Sequence, residues 1–264
     1  MHSRFVIKGN ICQTRTPKEL DLHENAYAVC IDGISMGVFD TLPEEYADLP
    51  LYDYEDALIF PGMVDLHVHA PQYAFRGMCM DLELMEWLNQ YTFPEEEKYE
   101  NLEYAEKAYR MFVDTLKSGA TTRACIFATR HRPATELLMQ LLEESGLVSF
   151  VGKVNMDREA SESLTEESAD VSARTTVEWI RAVKGKFLHT KPILTPRFIP
   201  CCTDQLMENC ARSRWHTVFL CNPICPRAKE KLNLSNFSIP MIRSTGMSIT
   251  TMISSEKMMT LIRM

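Results

Sequence analysis

Apolar and polar positions change rhythm twice along the chain. In the first stretch, residues 4–12 ("RFVIKGNIC") and 27–40 ("YAVCIDGISMGVFD") are short apolar segments broken by glycine and aspartate. They predict small antiparallel strands joined by tight turns, and hence a small β domain over residues 1–60. From about residue 57 the pattern lengthens. "ALIFPGMVDLHVH" reads as a strand, and "LELMEWLNQYTF" is apolar at helical spacing. "YAEKAYRMFVDTLKSG" places Ala105, Ala108, Phe112 and Leu116 on one helical face and stops at Gly119, a C′ position. "ATTRACIFAT", "LVSFVGKVNMD" and "KPILTPRFIP" are further strands. The helix "PATELLMQLLEESG", opened by Pro133 and closed by Gly146, and the helix "ESADVSARTTVEWIRAVKG" separate them. "TDQLMEN" opens one more helix. Strand and helix alternate four times over residues 57–208, which predicts an α/β fold of parallel βα units.

The third stretch has neither a helical nor a strand period. Six of the sixteen methionines fall in the last 24 residues, mixed with serine and threonine. The hydropathy that organises residues 1–208 is absent from 209–264.

Composition narrows the function class. Hydrophobic residues make up 45% and charged residues 24%, as in ordinary globular proteins. A net charge of −8 argues against nucleic acid as a partner, since phosphate recognition needs clustered Lys and Arg. No run of 18 apolar residues is present, so no membrane span is expected, and the opening "MHSRFVIKGN" lacks the apolar core of an export signal. Nine scattered cysteines then imply reduced thiols and a cytoplasmic location. Cys221 and Cys225 lack the second pair that a structural zinc site would need.

The chemistry begins at "IFPGMVDLHVHAPQ". His67 and His69 stand two apart at the end of an apolar strand, so both imidazoles point to one face. At the C-terminal end of a barrel strand such a pair is placed to hold a divalent metal; the plainer alternative is two satisfied polar residues at a strand end. Asp65 and Asp157 suit either second-tier acceptors for ligating histidines or loop caps. Glu86 and Trp87 read as helix packing, Glu95–Glu97 as a solvated acidic run, and His131 as a loop histidine within possible reach of the pair.

"FPGMVDLHVHAPQYAF", "LMEWLNQYTFPEE", "FVGKVNMDR" and "TPRFIP" together resemble the guanine deaminases of the amidohydrolase superfamily, over residues 1 to about 208. His-x-His belongs to the whole superfamily; "EWLNQYTFPEE" and "TPRF" are narrower. The resemblance implies a small N-terminal β domain followed by the first half of a (β/α)8 TIM barrel. It implies zinc (Zn2+) held by His67 and His69, and guanine contacted by Gln72, Arg197 and Phe198. It also implies a homodimer for the full-length form. A guanidinium fork beside an aromatic ring suits a flat heterocycle with a carbonyl, although Gln72 also reads as a loop residue, Arg197 as an ion-pair partner and Phe198 as core. Another amino-heterocycle as substrate, or a non-catalytic fragment, are the competing readings.

The same resemblance calls for a "QSH.SE" motif, a further histidine and an aspartate from later strands, and none is present. Only His131, His189 and His216 follow His69. Reading out of frame from the third base of codon 208 recovers the first of these. Residues 220–227, "LCNPICPR", have synonymous codons that spell "VQSHLSE" in this shifted frame, and residues 237–245, "FSIPMIRST", spell "QYPDDPVY". Two bases of every codon are fixed by the residue shown, so chance recovery is improbable. The expectation is an out-of-frame tail over residues 209–264 and an inactive N-terminal fragment.

Overall fold

The computed structural model describes residues 4–16 and 18–213. They divide into two compact units, one ending at Met63 and the other starting at Val64.

In the first unit, β1 (Arg4–Thr16) pairs antiparallel with β2 (Glu19–Ile31), and β2 pairs antiparallel with β3 (Ile34–Phe39). The tight turn between β2 and β3 is Asp32-Gly33, with φ of 53° and 81°. Positive φ at both central residues matches the twist of a two-residue hairpin. β4 (Leu51–Ile59) then lies along the other side of β1, and this pairing is parallel. The antiparallel pairing expected of residues 4–12 and 27–40 holds for β1, β2 and β3, and the parallel β4 adds to it because the chain crosses over between β3 and β4 instead of turning back in a hairpin. Val6, Ile11, Ala26 and Val29 form the buried apolar positions of this unit.

The apolar run 57–69 is two strands rather than one. β4 ends at Ile59, and β5 (Met63–His69) opens the second unit's sheet. Pro61 lies in the break, where a residue without an N–H cannot continue a ladder. After β5 comes a 3-10 turn, Ala70–Phe75. The predicted helix around residue 88 follows as α1 (Leu84–Trp87), a π turn (Leu88–Thr92) and α2 (Phe93–Glu97). Pro94 accounts for the wide turn: it leaves the carbonyl four residues earlier without a donor, and Phe93 N–H reaches back five residues to Leu88 O.

The remaining elements alternate as the pattern predicts: α3 (Leu102–Ser118), β6 (Thr121–Phe127), α4 (Arg132–Ser145), β7 (Val148–Asn155), α5 (Ala169–Val183), β8 (Thr190–Pro196) and α6 (Asp204–Arg212). The strand order is β5-β6-β7-β8, with β6–β7 and β7–β8 parallel. Side chains of Asn101, Ser168 and Thr203 cap α3, α5 and α6. Gly146 takes the left-handed C-cap at φ 78°. Gly119 does not; at φ −95° it is extended, because β6 begins two residues later and the chain runs straight into it.

Between sheet and helices lies the larger core, including Phe112, Ile126, Leu138, Leu142, Val151, Trp179 and Leu194. Ala105 and Ala108 are buried on the predicted face of α3, with Leu116 packed at its margin. A smaller apolar cluster (Leu88, Phe93, Phe127, Val154, Met156, Leu164 and Cys201) gathers residues from the C-terminal ends of β6 and β7 and from the α1–α2 segment. Among the described residues, β5 and β8 each have a strand neighbour on one side only. Met63, Val64 and Leu66 on β5 are 56%, 37% and 39% exposed. Helix α6 runs four residues past position 208, with Cys210 buried in the larger core. The tail expected over 209–264 otherwise lies outside the described residues.

Gly152 on β7 has no room for a side chain: a Cβ there would lie 2.1 Å from Thr195 Oγ1. Thr195 is itself held by a 3.0 Å hydrogen bond to Lys153 O. Gly152→Ala is expected to destabilise the second unit by about 1–3 kcal/mol, seen as a lower urea midpoint at unchanged slope.

Candidate active site

Alternation along β5 puts His67 and His69 on one face, their ring centroids 4.9 Å apart and nearly perpendicular at 81°. Phe127, the last residue of β6, packs against both rings at 5.0 and 4.7 Å. His69 Nδ1 is buried and has no hydrogen-bond partner. Asp65 accepts the backbone N–H of His67 at 2.9 Å, a contact within β5 that is neither a loop cap nor a hydrogen bond to an imidazole. Burial pushes the His67 imidazole below its ordinary pKa; Asp65 pulls it back and the Arg197 charge lowers it again. For His69 burial dominates, with Arg197 and then His67 adding to the downward shift. Both rings are thereby held neutral, the form that binds a metal. Adjacent neutral rings and an orphaned buried nitrogen fit a divalent metal as two of its ligands. Among the described residues no cluster of three or more His, Cys, Asp or Glu completes a metal site.

Arg197 follows directly after β8, and its N–H donates to Asn155 O at 3.1 Å, tying it to the end of β7. Its guanidinium is buried. Nη1 donates to both carboxylate oxygens of Glu96, at 2.6 and 2.7 Å, and the Phe93 ring lies 5.4 Å from the guanidinium carbon. Nη2 is buried with no partner. Burial raises the Glu96 carboxyl, and the charge and hydrogen bonds of Arg197 oppose that rise. The reading of Glu95–Glu97 as a solvated run is therefore wrong. Glu96 is fully buried, and Glu95 is buried too, accepting from Lys98 Nζ at 2.7 Å and from the Tyr104 hydroxyl. Glu97 is half-buried and takes the Ser163 hydroxyl at 2.6 Å. These partners make burial of three consecutive carboxylates tolerable, and the one that matters most is 101 residues away in sequence.

Phe198 is half-buried in extended backbone and packs on the smaller apolar cluster with Phe93 and Phe127. Gln72 is half-buried in the 3-10 turn three residues past His69, with no hydrogen bond to either histidine or to Arg197 among the described residues. His131 occupies the N-cap position of α4 without a capping hydrogen bond from its side chain; the charges that act on its ring are Arg130, Glu100, Lys153 and Glu97, not the histidine pair. Asp157 accepts the N–H and hydroxyl of Thr203, at 2.7 and 2.5 Å, and so serves as a cap for the start of α6. Trp87 packs on Phe75 and donates to Met78 O at 3.2 Å, the packing role expected of it. Burial pushes the Cys201 thiol up to about 12, so it packs as a protonated apolar side chain.

Pattern alone missed Glu96, Phe93 and Phe127. It also missed a buried polar knot behind β7. Lys153 pairs with Glu166 at 2.6 Å, and Asn155 Nδ2 donates to Ser172 and Thr176 hydroxyls, both at 2.8 Å. Glu166 also accepts Met156 N–H at 3.2 Å and returns its own N–H to Met156 O at 2.8 Å. This fixes the end of β7, from which the Asn155 carbonyl holds Arg197.

Neutral imidazoles at the end of the first strand of a parallel βα array, faced by a buried guanidinium, are the layout of a metal-dependent barrel hydrolase. The chain belongs to the amidohydrolase family, whose model matches residues 58–217. It is 41% identical over 157 residues to guanine deaminase of Dictyostelium discoideum, covering 59% of this chain and 34% of that protein. Human guanine deaminase is 42% identical over 159 residues, covering 58% and 35%. The crystal structure of guanine deaminase from C. acetobutylicum with bound guanine superposes with a TM-score of 0.75 at 41% identity, covering 80% of this chain and 50% of that one. The chain thus spans about a third of the length of these relatives and half of the solved structure. No helix among the described residues is long and apolar enough to cross a membrane.

The depressed imidazoles give a signed pH dependence. Unfolding returns His69 to a pKa near 6.5, so the unfolded chain binds more protons below that value and stability falls as pH drops through it. Urea midpoints measured from pH 8 to pH 5 should decrease, and His69→Asn should flatten the decrease.

Proposed function

We propose that this chain is the N-terminal half of a zinc-dependent guanine deaminase, which hydrolyses guanine with water to xanthine and ammonia. The observation that carries the reading is the convergence of the neutral His67–His69 pair with the buried Arg197, whose Nη2 has donors to offer and no protein acceptor. In this reading His67 and His69 hold zinc. The metal, when bound, supplies a water that ionises near neutral pH. Arg197 directs its free N–H groups at the purine carbonyl, Phe198 and Phe127 flank the flat ring with apolar surface, and Gln72 meets a purine edge. Phe127 also packs on both imidazoles and covers part of their surface, which favours their neutral form.

The third histidine, the proton-transferring glutamate and the late aspartate are assigned to the sequence that the shifted frame after codon 208 encodes. We place residues 1–60 in a small β domain, 57–208 in four βα units and 209–264 in the out-of-frame tail. The full-length form is taken to be a cytoplasmic homodimer acting on a small molecule. The net charge of −8 supports a partner other than nucleic acid.

The test is enzymatic. Chain 1–264 with added zinc is expected to release no ammonia from guanine. A single-base correction near codon 209 is expected to give a zinc enzyme that forms xanthine. In that corrected enzyme Arg197→Ala should lower kcat/KM about 100-fold or more, the scale of losing a buried charged hydrogen bond. A corrected protein that folds and binds zinc but leaves guanine unchanged defeats the assignment.

A further inference from the structure

We infer that Glu96 is a specificity-determining positioning residue: by holding Arg197 through Nη1 alone, it presents Nη2 as a neutralised donor that selects an uncharged acceptor over an anion. The inference rests on the proposed substrate reading and adds a residue and a rule to it.

The geometry is asymmetric. A guanidinium and a carboxylate usually meet fork to fork, each nitrogen taking one oxygen. Here one nitrogen faces both, at 2.6 and 2.7 Å, so the two oxygens share the side of Nη1 turned toward Glu96. The opposite edge of the guanidinium is left free, and Nη2 is buried without a partner. Both side chains are almost wholly buried, Arg197 at 3% and Glu96 at 0% exposure. Arg197 is always protonated, so Glu96 is the counter-ion that makes its burial tolerable. The pair carries no net charge. Glu96 and Phe93 are three residues apart in α2, so one helical turn supplies both the counter-ion and the ring against the guanidinium.

A donor with its charge already cancelled favours a carbonyl oxygen. A carboxylate brought to Nη2 would make a buried anion–cation–anion row and would have to shed its water for a cation that Glu96 has neutralised. Without Glu96 the preference should invert, because a lone buried guanidinium is a strong anion site.

The experiment uses chain 1–264 with 15N-labelled arginine and two purines that differ at C6, hypoxanthine (a neutral carbonyl) and purine-6-carboxylate (an anion), compared as an affinity ratio between variants so that their difference in size cancels. In the wild type hypoxanthine should bind better and should move the Arg197 Nη2 signals more than the Nη1 signals. Glu96→Gln keeps size and a hydrogen-bond acceptor but removes the charge; it should shift the affinity ratio about tenfold or more toward the carboxylate. Glu96→Asp keeps the charge, so it should weaken hypoxanthine without changing the order of preference, and it serves if the glutamine variant does not fold. A purely structural role would weaken both ligands in proportion. An unchanged ratio in Glu96→Gln with both purines bound overturns the inference alone. An inverted preference in Glu96→Asp overturns it too. Failure of hypoxanthine to bind the folded wild type overturns the substrate reading, and this inference with it; purine-6-carboxylate binding the wild type as well as hypoxanthine does overturns the inference alone.

Discussion

A buried guanidinium cannot lose its proton and cannot be left without a counter-charge, and that constraint shapes the strand-end face of this half-barrel. Arg197 emerges from the last described strand, while Glu96 stands on the irregular segment after the first. Their contact ties the segment after β5 to the end of β8, the two outer strands of the four-stranded sheet. Leaving either charge unpaired would cost about 3–5 kcal/mol, a large part of the stability of any domain. The awkward features nearby become intelligible in this light. The π turn and Pro94 rotate α2 so that Phe93 and Glu96 both face inward, and the knot of Lys153, Glu166 and Asn155 steadies the carbonyl that holds Arg197.

The same pair sets the electrostatics of the histidines. Burial is the main cause that lowers the His67 and His69 imidazoles, and the Arg197 charge adds to it, although that charge is balanced on the far side by Glu96. Charge is therefore compensated locally at each position. Neutral imidazole nitrogens and a donor group then lie at the strand ends, with the Phe127 ring packed against both histidines.

Much of this architecture was legible in the sequence because periodicity records burial. The face of α3, the presence of α4 and α5 and the alternation with β6, β7 and β8 follow from local pattern, as does the paired orientation of His67 and His69. What spacing could not reveal was partnership across long separations. Three consecutive glutamates have the pattern of a solvent-facing run, and only an arginine 101 positions away makes one of them a core residue. The parallel placement of β4 was hidden for a similar reason, since short apolar segments carry no direction. Phe127 read as an ordinary strand residue; its role depends on β6 lying beside β5, which is a fact of topology. Gly119 shows the reverse limit, a glycine in a favourable place whose backbone freedom goes unused.

The exposed apolar residues of β5 bear on how such a protein is made. Met63, Val64 and Leu66 belong to the first barrel strand to leave the ribosome, and in a closed barrel the first strand's outer neighbour is the last one synthesised. At about 5–20 residues per second, the second half of a barrel of about 250 residues needs on the order of 6–25 s to appear. Through that interval the nascent chain must carry an open strand and uncovered valine and leucine without finding another chain. Selection on this family therefore acts on a waiting state as well as a finished one. A chain whose reading frame slips in mid-barrel stays in that waiting state, presenting to chaperones and proteases the surface that ordinary synthesis exposes only briefly.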